Sequence, residues 1–126
     1  MASIFIMTGK QKGDYYPLGR RTNVIGRDEA LPIQVLDDRI SRKHMQIRFD
    51  ADKGWYYALD MNSRHGVFVN NSKITDETLL KDGDYITIGG IGLFFTVKDF
   101  DDHESALSHF KKVGERERPT HIDFDQ

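Results

Sequence analysis

Met45-Gln46-Ile47-Arg48-Phe49 alternates apolar and polar side chains, and Trp55-Tyr56-Tyr57-Ala58-Leu59 follows it across a short segment containing Asp and Gly. A period of two is the pattern of a strand with one buried face. The same texture extends in both directions. Upstream lie Ser3-Ile4-Phe5-Ile6-Met7, Thr22-Asn23-Val24-Ile25 and Ile33-Gln34-Val35-Leu36. Downstream lie Val67-Phe68-Val69, Tyr85-Ile86-Thr87-Ile88 and Leu93-Phe94-Phe95-Thr96-Val97. These runs are short and rich in β-branched and aromatic residues, and Gly, Asp, Asn and Pro punctuate them closely. That combination predicts an all-β sandwich or barrel. No segment before residue 99 carries a helical period.

The end of the chain reads differently. Leu107, Phe110 and Val113 are spaced for one helix face, with Asp101-Asp102 ahead of them, Lys111-Lys112 late and Gly114 beyond. This order suits the helix dipole and the C-cap, and predicts a short helix over 102–113. The expected organisation is a domain at 1–98, a C-terminal helical segment at 99–114 and a flexible tail at 115–126. Residues 1–98 carry 14 basic and 12 acidic side chains, and residues 99–126 carry 4 and 8. The acidic tail is read as a solvated segment or as a partner for the basic domain.

Composition narrows the function. A chain of 126 residues is one domain with room for a sizeable core. Its 18 Lys and Arg against 20 Asp and Glu leave a net charge of -2, which argues against general nucleic-acid binding. There is no Cys, so disulfides, thiol nucleophiles and Cys-ligated metals are excluded. No apolar run approaches the roughly 20 residues of a membrane span. Met1 to Lys10 has neither the basic region nor the long apolar stretch of a signal peptide. The expectation is a cytoplasmic protein that binds neither membrane nor nucleic acid.

Enzymatic patterns are weak. Ser41, His44 and Asp60 supply triad ingredients, but no G-x-S-x-G elbow is present. The five His show no metal-ligand spacing, and Gly89-Gly90-Ile91-Gly92 lacks the Lys and Ser/Thr of a P-loop and reads as a hairpin turn. The expectation is a protein without catalytic activity, metal or cofactor.

Three polar motifs remain, each between strand runs: Gly26-Arg27, Ser41-Arg42-Lys43-His44 and Asn62-Ser63-Arg64-His65-Gly66. Loops of a sandwich cluster at its two ends, so distant loops can converge. Arg27, Arg42 and Arg64 would bring guanidinium forks there, Ser41 and Ser63 hydroxyls, and the turn near Gly66 backbone amides. Such a donor set, with almost no anionic competition, suits a phosphate dianion.

The stretch from Tyr16 to Val97 resembles a forkhead-associated (FHA) domain. Gly26-Arg27, Ser41-x-x-His44 and Asp60-x-x-Ser63-x-x-Gly66 followed by Phe68-Val69-Asn70 occur in the family's order and spacing. So does Leu80-x-Asp82-Gly83-Asp84-x-Ile86-x-Ile88-Gly89. The resemblance implies a two-sheet sandwich of about eleven short strands, of the SMAD/FHA type, that recognises phosphothreonine peptides through loops at one end. The implied partner is a Thr-phosphorylated protein or peptide and, indirectly, a Ser/Thr kinase.

The resemblance also implies roles. Arg27 matches the residue that grips phosphate, the alternative being a surface salt bridge to Asp28 or Asp38. Ser41 matches the phosphate-binding hydroxyl, and Arg42 a position that touches phosphate or peptide. Gly26, His44, Ser63 and Gly66 support the loops. Many members read Ser-Thr-Asn-Gly-Thr where this chain reads Ser63-Arg64-His65-Gly66-Val67. Arg64 thus replaces a neutral hydroxyl with a charged fork aimed at phosphate or at solvent. His65 replaces the Asn that holds the peptide backbone, with Asn62 as a candidate substitute. Arg39 and Lys73 sit in loops that select flanking peptide residues, and would favour an acidic side chain. Thr120, with Asp123 three residues on, is a candidate phosphorylation site through which the domain would bind its own tail or a neighbour's. Without that contact the chain is expected to be a monomer. The rival reading is an FHA-like assembly module that holds its partner independently of phosphate.

Overall fold

Burial follows the alternation in the sequence. In the computed structural model, which describes residues 2–97, strand β5 (Met45–Asp50) buries Met45 and Ile47 while Gln46 and Arg48 stay partly exposed. Strand β6 (Trp55–Asp60) buries Tyr56 and Ala58 and leaves Trp55 exposed. The remaining strands are β1 (Ser3–Ile6), β2 (Tyr15–Pro17), β3 (Asn23–Gly26), β4 (Ile33–Gln34), β7 (Val67–Val69), β8 (Ser72–Lys73), β9 (Thr78–Leu79), β10 (Tyr85–Ile88) and β11 (Ile91–Thr96). A six-stranded sheet runs β2-β1-β11-β10-β7-β8 and a five-stranded sheet runs β4-β3-β5-β6-β9. The all-β, two-sheet sandwich is the architecture the sequence predicts. The predicted helix at 102–113, the tail and Thr120 lie outside the described residues.

The inner faces share one core. Ile4, Ile6, Ile86, Ile88, Leu93 and Phe95 meet Ile25, Ile33, Met45, Ile47, Tyr56 and Ala58. Tyr56 packs 5.0 Å from the Phe49 ring and 5.9 Å from the Phe95 ring, centroid to centroid, and its hydroxyl donates to the Gly19 carbonyl. A buried ring thereby satisfies its one polar atom. A second cluster of Phe5, Met7 and Phe94, with Tyr15 and Tyr85 packed against it, is separate from this core.

Register decides where the loops go. Ile25 pairs with Met45, and Met45 with Asp60, so β3 ends, β5 begins and β6 ends at the same edge of the molecule. Strand β4 runs parallel to β3, with Gly26 opposite Gln34, and therefore ends there too. The start of the β3–β4 connection and the β4–β5 and β6–β7 connections consequently meet at one end, as does the β10–β11 turn, because Ile88 pairs with Val67.

Candidate functional site

The site is assembled from backbone upward. Gly26 closes β3 with no room for a side chain: a Cβ there would stand 2.2 Å from the Arg42 carbonyl oxygen. That approach lets the β4–β5 loop lie against the end of β3. The Arg27 N–H donates to the Ser41 carbonyl (3.1 Å), and the Asp28 N–H to the Arg42 carbonyl (3.2 Å). The Arg27 side chain is anchored as well, its Nε donating to the Ile40 carbonyl at 3.0 Å. One edge of the guanidinium is thus fixed to the loop, and the terminal nitrogens remain for a ligand.

His44 is fully buried. Its Nδ1 accepts the Ser41 N–H at 3.0 Å, and its Nε2 lies 2.7 Å from the Gly66 carbonyl oxygen. Since Nδ1 accepts, Nε2 carries the proton and donates to Gly66. Burial lowers the His44 pKa, and nearby His65 adds to this, against the Gly66 bond and the Asp60 charge. The ring is a strut between two loops, the supporting role expected of it. Gly66 adopts φ +82°, which suits glycine. The Ser63 hydroxyl donates to Asp60 and accepts the Gly66 N–H (2.9 Å). Ser63 therefore shapes the β6–β7 turn.

Ser41 Oγ accepts the Arg64 N–H at 3.0 Å. This bond joins the β4–β5 loop to the β6–β7 loop and leaves the hydroxyl proton to donate elsewhere. Between these loops lies a pocket of about 240 Å³ lined by Arg27, Asp38, Arg39, Ile40, Ser41, Arg42 and Arg64. Four arginines and one hydroxyl converge there from three connections.

Acidic side chains moderate this field more than the sequence suggests. Arg42 pairs with Asp28 at 3.4 Å, and Arg39 with Asp37 at 3.0 Å. The Ala30 N–H, followed by Arg42, holds the Asp28 carboxyl below its usual range. Asp37 is lowered chiefly by its hydrogen bonds from the Arg39 side chain and backbone. Asp38 lines the pocket itself. The expectation of almost no anionic competition is therefore corrected: of the arginines lining the pocket, Arg27 and Arg64 have no carboxylate partner among the described residues.

The other predicted residues lie at or beyond the rim. Asn62 is exposed with φ 59°, a left-handed position that Asn tolerates, so the turn itself accounts for it. His65 is exposed and does not line the pocket. Lys73 lays its aliphatic stem beside Gly66, its Cε 3.0 Å from where a Cβ would be. Asp28 and Asp38 entered the sequence reading only as alternative partners of Arg27, whereas Asp28 pairs with Arg42 and Asp37 with Arg39. Their only sequence signal is proximity to Arg27, Arg39 and Arg42, and proximity along a loop does not specify pairing. Among the described residues no group of three His, Cys, Asp or Glu is placed to hold a metal, and no helix is long and apolar enough to cross a membrane.

A sandwich whose three loops gather arginines around one hydroxyl defines a class. The FHA domain family profile matches residues 23–89, more than half of the chain, and the chain belongs to that family. It is 33% identical over 87 residues to the FHA domain-containing protein FhaA of Mycobacterium tuberculosis, covering 69% of this chain and 16% of FhaA. It is 30% identical over 94 residues to the oxoglutarate dehydrogenase inhibitor of Corynebacterium jeikeium, covering 75% of this chain and 63% of that protein. The chain thus spans less than two thirds of either relative. Among solved structures, an FHA domain from an analysis of phosphothreonine-dependent FHA domain interactions matches with a TM-score of 0.68 and 28% identity. The match covers 79% of this chain and 98% of that one.

Proposed function

We propose that this domain binds phosphothreonine on a partner protein and thereby joins two proteins in response to a kinase. The observation that carries the reading is the pocket of about 240 Å³ in which Arg27, Ser41 and Arg64 converge. A phosphate dianion accepts charge-assisted bonds from guanidinium forks and a hydroxyl. Arg27 grips the phosphate, Ser41 donates its hydroxyl proton, and Arg64 adds a second fork. Arg42 and Arg39 contribute less, because Asp28 and Asp37 already hold them. His65 and Asn62 are the residues to contact the peptide backbone, and Lys73 a flanking side chain. The family relationship supports the reading, since a structural relative comes from work on phosphothreonine-dependent interactions. Another relative is an inhibitor protein, which favours a regulatory domain without catalysis of its own. We take residues 1–98 as the binding module, 99–114 as a helical appendage and 115–126 as a tail, acting in the cytoplasm.

Calorimetric titration with a degenerate phosphothreonine peptide pool tests this, beside its unphosphorylated and phosphoserine versions. Binding of the phosphothreonine pool alone is expected, with Arg27→Ala weakening it at least about tenfold, since a charge-assisted bond contributes roughly 1.5–3 kcal/mol. Binding that ignores the phosphate and Arg27 would overturn the reading in favour of phosphate-independent assembly.

A further inference from the structure

We infer that a second pocket, beside the one proposed for phosphate, takes a long basic side chain, Arg or Lys, that flanks the phosphothreonine of the partner segment. The inference deepens the phosphothreonine reading and rests on it. The second pocket measures about 350 Å³ and is lined by Gly9, Lys10, Arg27, Leu36, Asp37 and Asp38. Arg27 and Asp38 line both pockets, so the two adjoin. A segment whose phosphate rests on Arg27 lays a neighbouring residue at the mouth of the second pocket.

The walls are held by backbone contacts. The β1–β2 connection supplies one wall and the β4–β5 loop another. Gln11 ties them together: its Nε2 donates to the Gln34 carbonyl (3.0 Å), and its Oε1 accepts the Leu36 N–H (2.7 Å). Lys10, its chain neighbour, is carried to the pocket with it. Gly9 adopts φ +87°, and a Cβ there would stand 2.8 Å from Ile91 Cδ1, so this connection lies close against β11. The Thr8 hydroxyl accepts the Gly92 N–H at 2.9 Å and fixes it there. On the far side, the Gln34 side chain donates to the Arg27 carbonyl at 3.0 Å. A pocket tied in this way loses little freedom when it is filled.

Its chemistry selects the occupant. Leu36 is 49% exposed, a large apolar side chain left in solvent at the mouth of a pocket. Asp37 accepts two bonds from the Arg39 guanidinium, at 3.0 and 3.1 Å. Its carboxyl is held low first by the Arg39 hydrogen bonds and more weakly by the Lys10 charge. Asp37 and Lys10 are thus already offset. Asp38 is exposed and has no ion-pair partner among the described residues. Phosphothreonine brings close to two negative charges to Arg27, which leaves Asp38 beside an anion. An acidic flanking residue would meet repulsion from both. A purely apolar one would cover Leu36 while desolvating Asp38 unpaired. A long basic side chain lays its methylenes on Leu36 and brings its cation to Asp38.

The test uses the full chain and phosphothreonine peptides in an alanine background, with Arg, Leu or Glu placed in turn at each of the three positions on either side. Fluorescence anisotropy should show one position at which Arg binds about fivefold tighter than Glu, the scale of an exposed ion pair. Leu should fall between them. Asp38→Asn should reduce that Arg-to-Glu ratio to under twofold, and Leu36→Ser should weaken binding of the Arg peptide. Asp52→Asn, in the β5–β6 turn at the opposite end, should keep the ratio. A ratio below twofold at every position would overturn the inference, as would a ratio that Asp38→Asn leaves unchanged. If the alanine peptide binds and Arg gives no gain, this inference alone falls. If no phosphothreonine peptide binds, the phosphothreonine reading falls and takes the inference with it.

Discussion

His44 makes the geometry of the candidate site depend on one proton. Both of its bonds require a neutral ring protonated at Nε2, with Nδ1 free to accept from Ser41. A second proton at Nδ1 would face the Ser41 N–H, donor against donor. Burial, the main cause of the lowered pKa, opposes that charge. In the unfolded chain the same imidazole titrates near pH 6.5. The unfolded state therefore binds the proton more readily, and stability rises with pH in the window between the two values. The contribution of His44 is fully present above about pH 6.5 and is lost as pH falls through the depressed folded value. Urea unfolding at pH 7.5, 6.5, 5.5 and 5.0 should show wild-type stability falling below pH 6.5. One group accounts for a slope of at most about 1.4 kcal/mol per pH unit. His44→Gln should be less stable at pH 7.5 and show a shallower fall. Parallel curves for the two proteins would rule out His44 as the group responsible.

Single elements show how such a site is held by little regular structure. Strand β4 has only two residues, Ile33–Gln34, yet it begins the loop that carries Asp37 to Ser41. Gln11 reinforces it from the β1–β2 connection: its amide nitrogen donates to the Gln34 carbonyl (3.0 Å), and its amide oxygen accepts the Leu36 N–H (2.7 Å). One side chain thus imitates a neighbouring strand. Gln11→Ala should lower stability by about 1–2 kcal/mol, as expected for two modest hydrogen bonds. It should also speed hydrogen exchange at the Leu36 amide selectively, and an unchanged Leu36 rate would show that the clamp is idle. Elements of this kind mark the limit of sequence reading. β5, β6 and β10 were legible because their alternation reports one buried face. β8 and β9, with two residues each, are too short to show a period. Arg27, Ser41 and His44 were legible because the family motif fixes their spacing. Asp38 was not, since a solvent-facing loop Asp leaves no pattern, and only the folded loop places it beside Ser41. The unbroken apolar runs at Ile4-Phe5-Ile6 and Leu93-Phe94-Phe95 match strands buried on both faces.

Over the whole molecule, the proposed ligand site and the second hydrophobic cluster occupy separate places. The site is built on the ends of β3, β4 and β6 and the start of β5, all in the five-stranded sheet. The cluster of Phe5, Met7 and Phe94 lies on the far side of the six-stranded sheet, turned away from the shared core. The shortest path between them runs from the β6–β7 loop across the hydrogen-bonded neighbours β7, β10 and β11. Perturbations at well-separated sites without shared partners add to within about 0.3–0.5 kcal/mol, roughly a factor of two in an equilibrium constant. Folded Phe94→Ala should therefore bind a phosphothreonine peptide within about twofold of wild type while losing thermal stability. Arg27→Ala should do the converse, losing affinity while thermal stability stays near that of wild type. Measuring both quantities on both variants distinguishes independence from coupling. If Phe94→Ala weakened peptide binding tenfold, the six-stranded sheet would be transmitting strain to the β6–β7 loop. The Ser41–Arg64 and His44–Gly66 bonds would then be the joints to examine, because they tie that loop to the β4–β5 loop.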